Sequence, residues 1–156
     1  MLLLVAGVLT ALLISFLCSL FEAVLLSLTP VQIADISTSR PRLGSIWQGF
    51  KANIERPITV ILVLNSSAIT IGAAIGGSQF NKLFGGKWIW LFSLVFTFAV
   101  LQFAEILPKI IGVRFNRTLA GIIVKPLTIA ITVFEPIIKL VEWLNKPFSA
   151  KAGRTP

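Results

Sequence analysis

The chain alternates long apolar runs with short charged stretches. Residues 1–28 carry one charge, Glu22, and the 21 residues before it carry none. A helix rises about 1.5 Å per residue, so about 20 apolar residues cross a hydrocarbon core. The pattern therefore predicts a first transmembrane helix over about 1–28. A second uncharged run of 25 residues, from Pro57 to Asn81, predicts a span over 57–81. A third begins at Trp88 and Trp90, which suit an aromatic belt at the membrane interface, and runs over 88–111. The opening MLLLVAGVLTALLISFLCSL lacks the basic segment of a signal peptide, and its apolar run is too long for one. It reads as a retained helix.

The stretches between are amphipathic. Thr29-Pro30 has the form of a helix start, with Thr as N-cap and Pro in the first turn. Residues 31–56 mix Asp35, Arg40, Arg42, Lys51, Glu55 and Arg56 with apolar positions and are expected to lie along a membrane surface. Residues 126–148 are apolar but interrupted by Glu135, Pro136, Lys139, Glu142 and Lys146. The longest uncharged run there is nine residues, too short to span. An interfacial segment anchored by Trp143 is expected, with a fourth span as the alternative. The expected class is an all-α membrane protein with three transmembrane helices and juxtamembrane amphipathic helices on the cytoplasmic side.

Charge then orients the chain. Lys and Arg number four over 29–56, two over 81–87 and eight over 109–156. The positive-inside tendency places the N-terminus outside, and the first loop and C-terminal part in the cytoplasm. The net charge of +8 would suggest nucleic acid in a soluble chain. With 56% hydrophobic residues, 13% charged and a mean hydropathy of +0.92, topology is the better account. No nucleic-acid motif is present, so no nucleic-acid partner is expected. One Cys and no His remove disulfide frameworks, thiolate or imidazole metal clusters and His-based catalysis. A metal held here would be a hard cation on oxygen ligands.

Ionisable residues inside a span are costly and mark function by default. Glu22 and Glu105 are such residues. Glu105 lies 17 residues past Trp88, ~25 Å from the outer end of its helix, and Glu22 is similarly deep. Asn65 lies eight residues past Pro57 on a helix running the other way, ~12 Å from the cytoplasmic end. All three are expected at comparable depth. Ser15, Ser19 and Glu22 share one helix face, and Ser27 joins only if the helix distorts near Pro30. Asn65, Ala68, Gly72 and Gly76 form a small-residue stripe that admits a neighbouring helix, with Ser66 and Ser67 fanning away from it. Pro108 lacks an N–H, so in a continuous helix it leaves the carbonyl of Ala104, beside Glu105, without a partner. Plainer roles compete with these. Serines in membrane helices bond back to their own backbone, glycines pack, and Glu22 or Glu105 can pair with Lys109 at the cytoplasmic edge.

Three stretches resemble the transmembrane domain of the CNNM/CorC family of magnesium transporters: FLCSLFEAVLLSL (16–28), LNSSAITIGAA (64–74) and FAEILPKIIGVRFNRTLA (103–120). The last is the most specific, being similar to the family's Phe-Gly-Glu-Ile-x-Pro-Lys pattern. Ala104 stands where that pattern has Gly, and Leu64 stands before Asn65 where Gly is common. The resemblance covers nearly the whole chain. It implies a transmembrane ion-transport domain over 1–148, and a homodimer through the transmembrane helices in the lipid bilayer of the cell membrane. It also implies export of Mg²⁺ coupled to Na⁺ entry. Family members carry cytoplasmic CBS modules, absent from this chain, so 149–156 reads as a linker toward them. The metal ligands it implies are Glu105, Asn65, Ser19, Ser27, Ser67 and the carbonyl of Ala104. Glu22, Ser66, Gly72, Pro108 and Lys109 surround them or serve Na⁺, and Gly72 and Gly76 permit sliding. The rival reading is a membrane Mg²⁺ sensor or scaffold that regulates other transporters. A membrane enzyme is not expected.

Overall fold

The computed structural model describes residues 1–152, with side chains through Phe148. It is all-helical, with no strand among the described residues. Among the described residues, four helical stretches are long and apolar enough to cross a membrane: Leu2–Ser27, Glu55–Phe84, Gly86–Arg114 and Asn116–Val133. The protein is a multi-pass membrane protein.

Helix α1 (Leu2–Ser27) ends at Leu28, and α2 (Pro30–Ser39) starts with the expected Thr29 cap. Gln32 completes a capping box with Thr29, so two orphan N–H groups at the turn are satisfied. The surface stretch expected over 31–56 is two helices, because Pro41 starts α3 (Pro41–Ala52) after a break at Arg40. Helix α4 (Glu55–Phe84) overruns the expected 57–81 at both ends. Gly85, at φ +81°, turns the chain into a short 3₁₀ turn, Gly86–Trp88. This left-handed backbone is open to Gly without strain.

The third long stretch is composite: α5 (Ile89–Ala99), a π-helical segment (Val100–Ile106), then α6 (Leu107–Arg114). The helix thus continues through Pro108, with a change of helical register just before it. The Leu107 N–H bonds to the Gln102 carbonyl, five residues back, and the wider turn ends just before the proline. A π turn inside an α-helix commonly marks a functional site.

The C-terminal part differs most from expectation. Helix α7 (Asn116–Val133) begins ten residues before the predicted 126, and the chain turns at Phe134 into α8 (Glu135–Ala152). The single interfacial segment expected over 126–148 is thus parts of two helices. Helix α8 also takes in 149–152 of the expected linker, and 153–156 lie outside the described residues.

Helices α1 and α4 are antiparallel. A Cβ on Gly72 would overlap Ala11 Cβ, and one on Gly76 would lie 2.9 Å from Val8. Small residues thus set the close approach. On the other side of α1, a Cβ on Gly112 would lie 2.6 Å from Ala23, so α6 is held equally near. The main core joins the C-terminal half of α1 and the N-terminal half of α4 to α2, α3 and α7, through Leu25, Leu28, Ile33, Trp47, Ile61 and Ile123. Trp47 is buried and donates from its indole N–H to the Ala120 carbonyl at 3.2 Å.

Both ends of α7 are tied to one end of the α1–α4 pair. Asn116 at its start bonds to Ser27 at the end of α1. Glu135, just past its end, pairs with Arg56 at the start of α4 at 3.4 Å. The antiparallel register puts Ser27 and Arg56 at the same level.

Candidate cation site between the long helices

Helix α1 presents a polar ladder toward its neighbours. Ser15 and Ser19 are both buried. The Ser15 hydroxyl donates to Asn65 Oδ1 at 2.6 Å, joining α1 to α4. One turn further on, Ser19 Oγ is buried without any hydrogen-bond partner. It does not take the usual bond to the carbonyl of its own preceding turn. A buried hydroxyl left unpaired costs ~1–3 kcal/mol.

The third wall comes from the π segment. Helix α1 and the α5–α6 stretch run parallel, with Ala11 near Phe96 at one end and Glu22 beside Lys109 at the other. This register carries Ser19 to the level of Ala104 and Glu105. Ala104 is fully buried, and Glu105 is half-buried with no ion pair among the described residues. Pro108 is buried beneath them. It has no N–H to offer Ala104 in α register or Phe103 in π register.

Glu22 closes the C-terminal end of the ladder. Its carboxylate lies 3.5 Å from Lys109 Nζ, with side-chain exposures of 24% and 48%. The pair sits on a groove of about 310 Å³ that also includes Ala23, Leu26, Ser27 and Val113. The register does not give Glu22, Asn65 and Glu105 the common depth expected of them. Asn65 stands with Ser15, seven residues or ~10 Å along the helix from Glu22, and Glu105 stands between them.

Other expected residues fall elsewhere. Ser66 and Ser67 are exposed on α4. Ser27 belongs to a separate network, in which Asn116 Nδ2 donates to the Ser27 carbonyl at 3.2 Å and to its hydroxyl at 3.1 Å. Asn116 also exchanges hydrogen bonds with Gln32. Gly72 is buried as a packing contact, with no polar partner beside it. Lys109 pairs with Glu22 and leaves Glu105 unpaired. Sequence reasoning put Ser15 on the right face without a role, and it passed over Asn116, whose partners lie 84 and 89 residues away. Among the described residues no three His, Cys, Asp or Glu side chains gather into a metal cluster. A cation between these helices would rest on a mixed set of neutral and acidic oxygens.

A multi-pass helical membrane domain, with polar groups buried where three long helices meet, is the class these features define. The chain belongs to the CNNM family: the model of the cyclin M transmembrane N-terminal domain matches residues 6–154. It is 32% identical over 149 residues to the UPF0053 protein sll1254 of Synechocystis, covering 96% of this chain and 43% of that protein. It is 23% identical over 127 residues to the chloroplastic DUF21 domain-containing protein At1g55930 of Arabidopsis thaliana, covering 81% of this chain and 19% of that one. The chain thus spans less than half the length of these relatives.

Proposed function

We propose that this domain moves Mg²⁺ across the membrane, exporting it from the cytoplasm in exchange for Na⁺. The family is generally linked to transport of Mg²⁺ and other divalent cations, and it is a transporter family rather than an enzymatic one. The observation that carries the reading is Ser19 Oγ. It is a buried hydroxyl with no partner, one turn from the Ser15–Asn65 bond and level with Ala104 and Glu105. A cation there would satisfy it. Glu105 supplies the carboxylate, and Ser19, the free lone pair of Asn65 and a carbonyl released by Pro108 supply neutral oxygens. Mg²⁺ takes six oxygens at about 2.0–2.1 Å and retains water readily, so a set with one carboxylate binds it without trapping it. Glu22, held by Lys109 at the groove below, is placed to admit the cation or to serve Na⁺. Ser27 and Ser67 take no part in this arrangement.

The same reading has three spans, an outer N-terminus and a cytoplasmic C-terminus. Helix α7 is apolar enough to cross, but its two ends are tied to the same end of the α1–α4 pair. Lys125 would fall near the bilayer centre if it did cross, at a cost of ~3 kcal/mol or more. It therefore lies along the inner surface. The proposed assembly is a homodimer through the transmembrane helices.

Flux into liposomes tests the function. Wild-type protein should move Mg²⁺ in the direction opposite to Na⁺ running down its gradient, and Glu105→Gln should not. Mg²⁺ binding with no flux would favour a sensor instead, and equal flux in Glu105→Gln would overturn the site.

A further inference from the structure

Helices α3 and α7 carry a feature that the transport site does not use. Arg40, at the break before α3, lays its guanidinium against Gly121 of α7, where an added Cβ would lie 3.3 Å from it. Arg117 and Lys125 stand one turn to either side of Gly121 on the same α7 stripe. Asp35 pairs with Arg117. Arg40, Arg42 and Lys125 have no ion pair among the described residues. Immediately beyond them a groove of about 290 Å³ opens between α3 and α7, lined by Ile46, Val124, Lys125, Thr128 and Ile129. Thr128 spends its hydroxyl on the Val124 carbonyl at 2.7 Å, so apart from Lys125 the groove is apolar. Ile46 and Ile129 are exposed there, at 40% and 63%.

We propose that this groove binds an anionic phospholipid of the inner leaflet. The phosphate would sit on Arg40 and Lys125 with Arg42 nearby, and an acyl chain would cover Ile46, Val124 and Ile129. The two helices supply both halves of the match in the right order. Unpaired cations lie at the Arg40 end, and an uncovered aliphatic trough leads away from it. Water is a poor occupant of the trough, and a zwitterionic headgroup is a poor partner for three unpaired cations. The proposal rests on α7 lying along the inner surface, where such lipid is at hand.

Native mass spectrometry of the detergent-purified chain tests it, with phosphatidylglycerol and phosphatidylcholine of equal chain length as probes. Phosphatidylglycerol should be retained and phosphatidylcholine largely lost. Removing a cation near a membrane phosphate should weaken retention about fivefold, and removing two about thirtyfold. Arg40→Gln and Lys125→Gln, singly and together, should follow that series. Arg114→Gln, on α6 and stacked over Phe115, should bind as wild type. The single variants keep the test open if the double variant misfolds. Equal retention of both lipids, wild-type binding by a folded double variant, or displacement of the lipid by millimolar inorganic phosphate would each overturn the proposal. The last outcome would mark a plain anion site. Single cysteines at Thr118 and Thr132, in a Cys18→Ala background, test the surface placement separately. Labelling from opposite sides would mean that α7 crosses. Labelling from one side with no lipid preference would sink the lipid site alone.

Discussion

Ser15 Oγ donates to Asn65 Oδ1 at 2.6 Å across the contact between α1 and α4. The bond uses one lone pair of the amide oxygen and fixes the direction of the other. Ser15→Ala should leave the fold intact, because side-chain hydrogen bonds in membrane interiors contribute only ~0.6 kcal/mol on average and ~1.7 at most. The apparent affinity for Mg²⁺ should fall about threefold to eighteenfold, with the maximal flux less affected. Ser15→Thr keeps the donor and should behave as wild type. Flux against Mg²⁺ concentration decides. An unchanged half-saturation in Ser15→Ala would mean that Asn65 is not a ligand.

The Gly72–Ala11 contact predicts a rescue. Gly72→Ala forces two methyl groups into one place, and overpacking of this kind costs ~1–3 kcal/mol. Thermal unfolding in detergent should show the loss. Ala11→Gly in the same chain should recover most of it, because the new methyl then occupies the space the old one left. Destabilisation that simply adds across the double variant would show that the α1–α4 spacing is set elsewhere.

Three of the four long apolar helices found among the described residues were legible from the sequence, because apolar run length measures bilayer thickness directly. The pairing of Asn65 with the first helix was half legible. Counting residues gives depth to within a turn or two, but Asn65 meets Ser15 rather than Glu22 because the approach of Ala11 to Gly72 sets the register. The π turn before Pro108 was not legible. Proline predicts a lost hydrogen bond but does not say whether the chain breaks or widens, and the closeness of Gly112 to α1 favours a continuous helix there. The start of α7 was hidden for another reason. Asn116 is a poor helix former in isolation, and what holds it is a network with Ser27 and Gln32 far away in the chain.

Glu22 and Lys109 should couple weakly. Both side chains are only partly buried by protein, and exposed pairs contribute ~0.2–1 kcal/mol. In a double-mutant cycle of Glu22→Gln and Lys109→Gln, the coupling to stability should fall in that range and shrink at high salt. The transport readout should differ. Lys109→Gln leaves Glu22 free for a cation and should lower the Na⁺ concentration needed for exchange. No change in Na⁺ dependence would confine the pair to a structural role.

Asn116 should matter more for folding than its lack of charge suggests. Its Nδ2 serves the Ser27 carbonyl, the Ser27 hydroxyl and Gln32 Oε1, and its Oδ1 accepts from Gln32 Nε2 at 3.3 Å. These bonds tie the start of α7 to the α1–α2 turn. The Thr29–Gln32 capping box is built on the same Gln32. Asn116→Ala removes both the donor and the acceptor and leaves the Ser27 carbonyl at a helix end without its side-chain partner. At ~1 kcal/mol for each net hydrogen bond, the loss should be ~2–3 kcal/mol. Asn116→Asp keeps the shape but offers Ser27 no donor, and it should do no better than Ala. Asn116→Gln reaches too far for the turn and should recover little. Limited proteolysis should then cut first around Leu28 and Phe115, where the tie is released. A wild-type melting temperature for Asn116→Ala, with no new cleavage at those turns, would show that α7 is held by the apolar contacts of Ile123 and Leu127 alone.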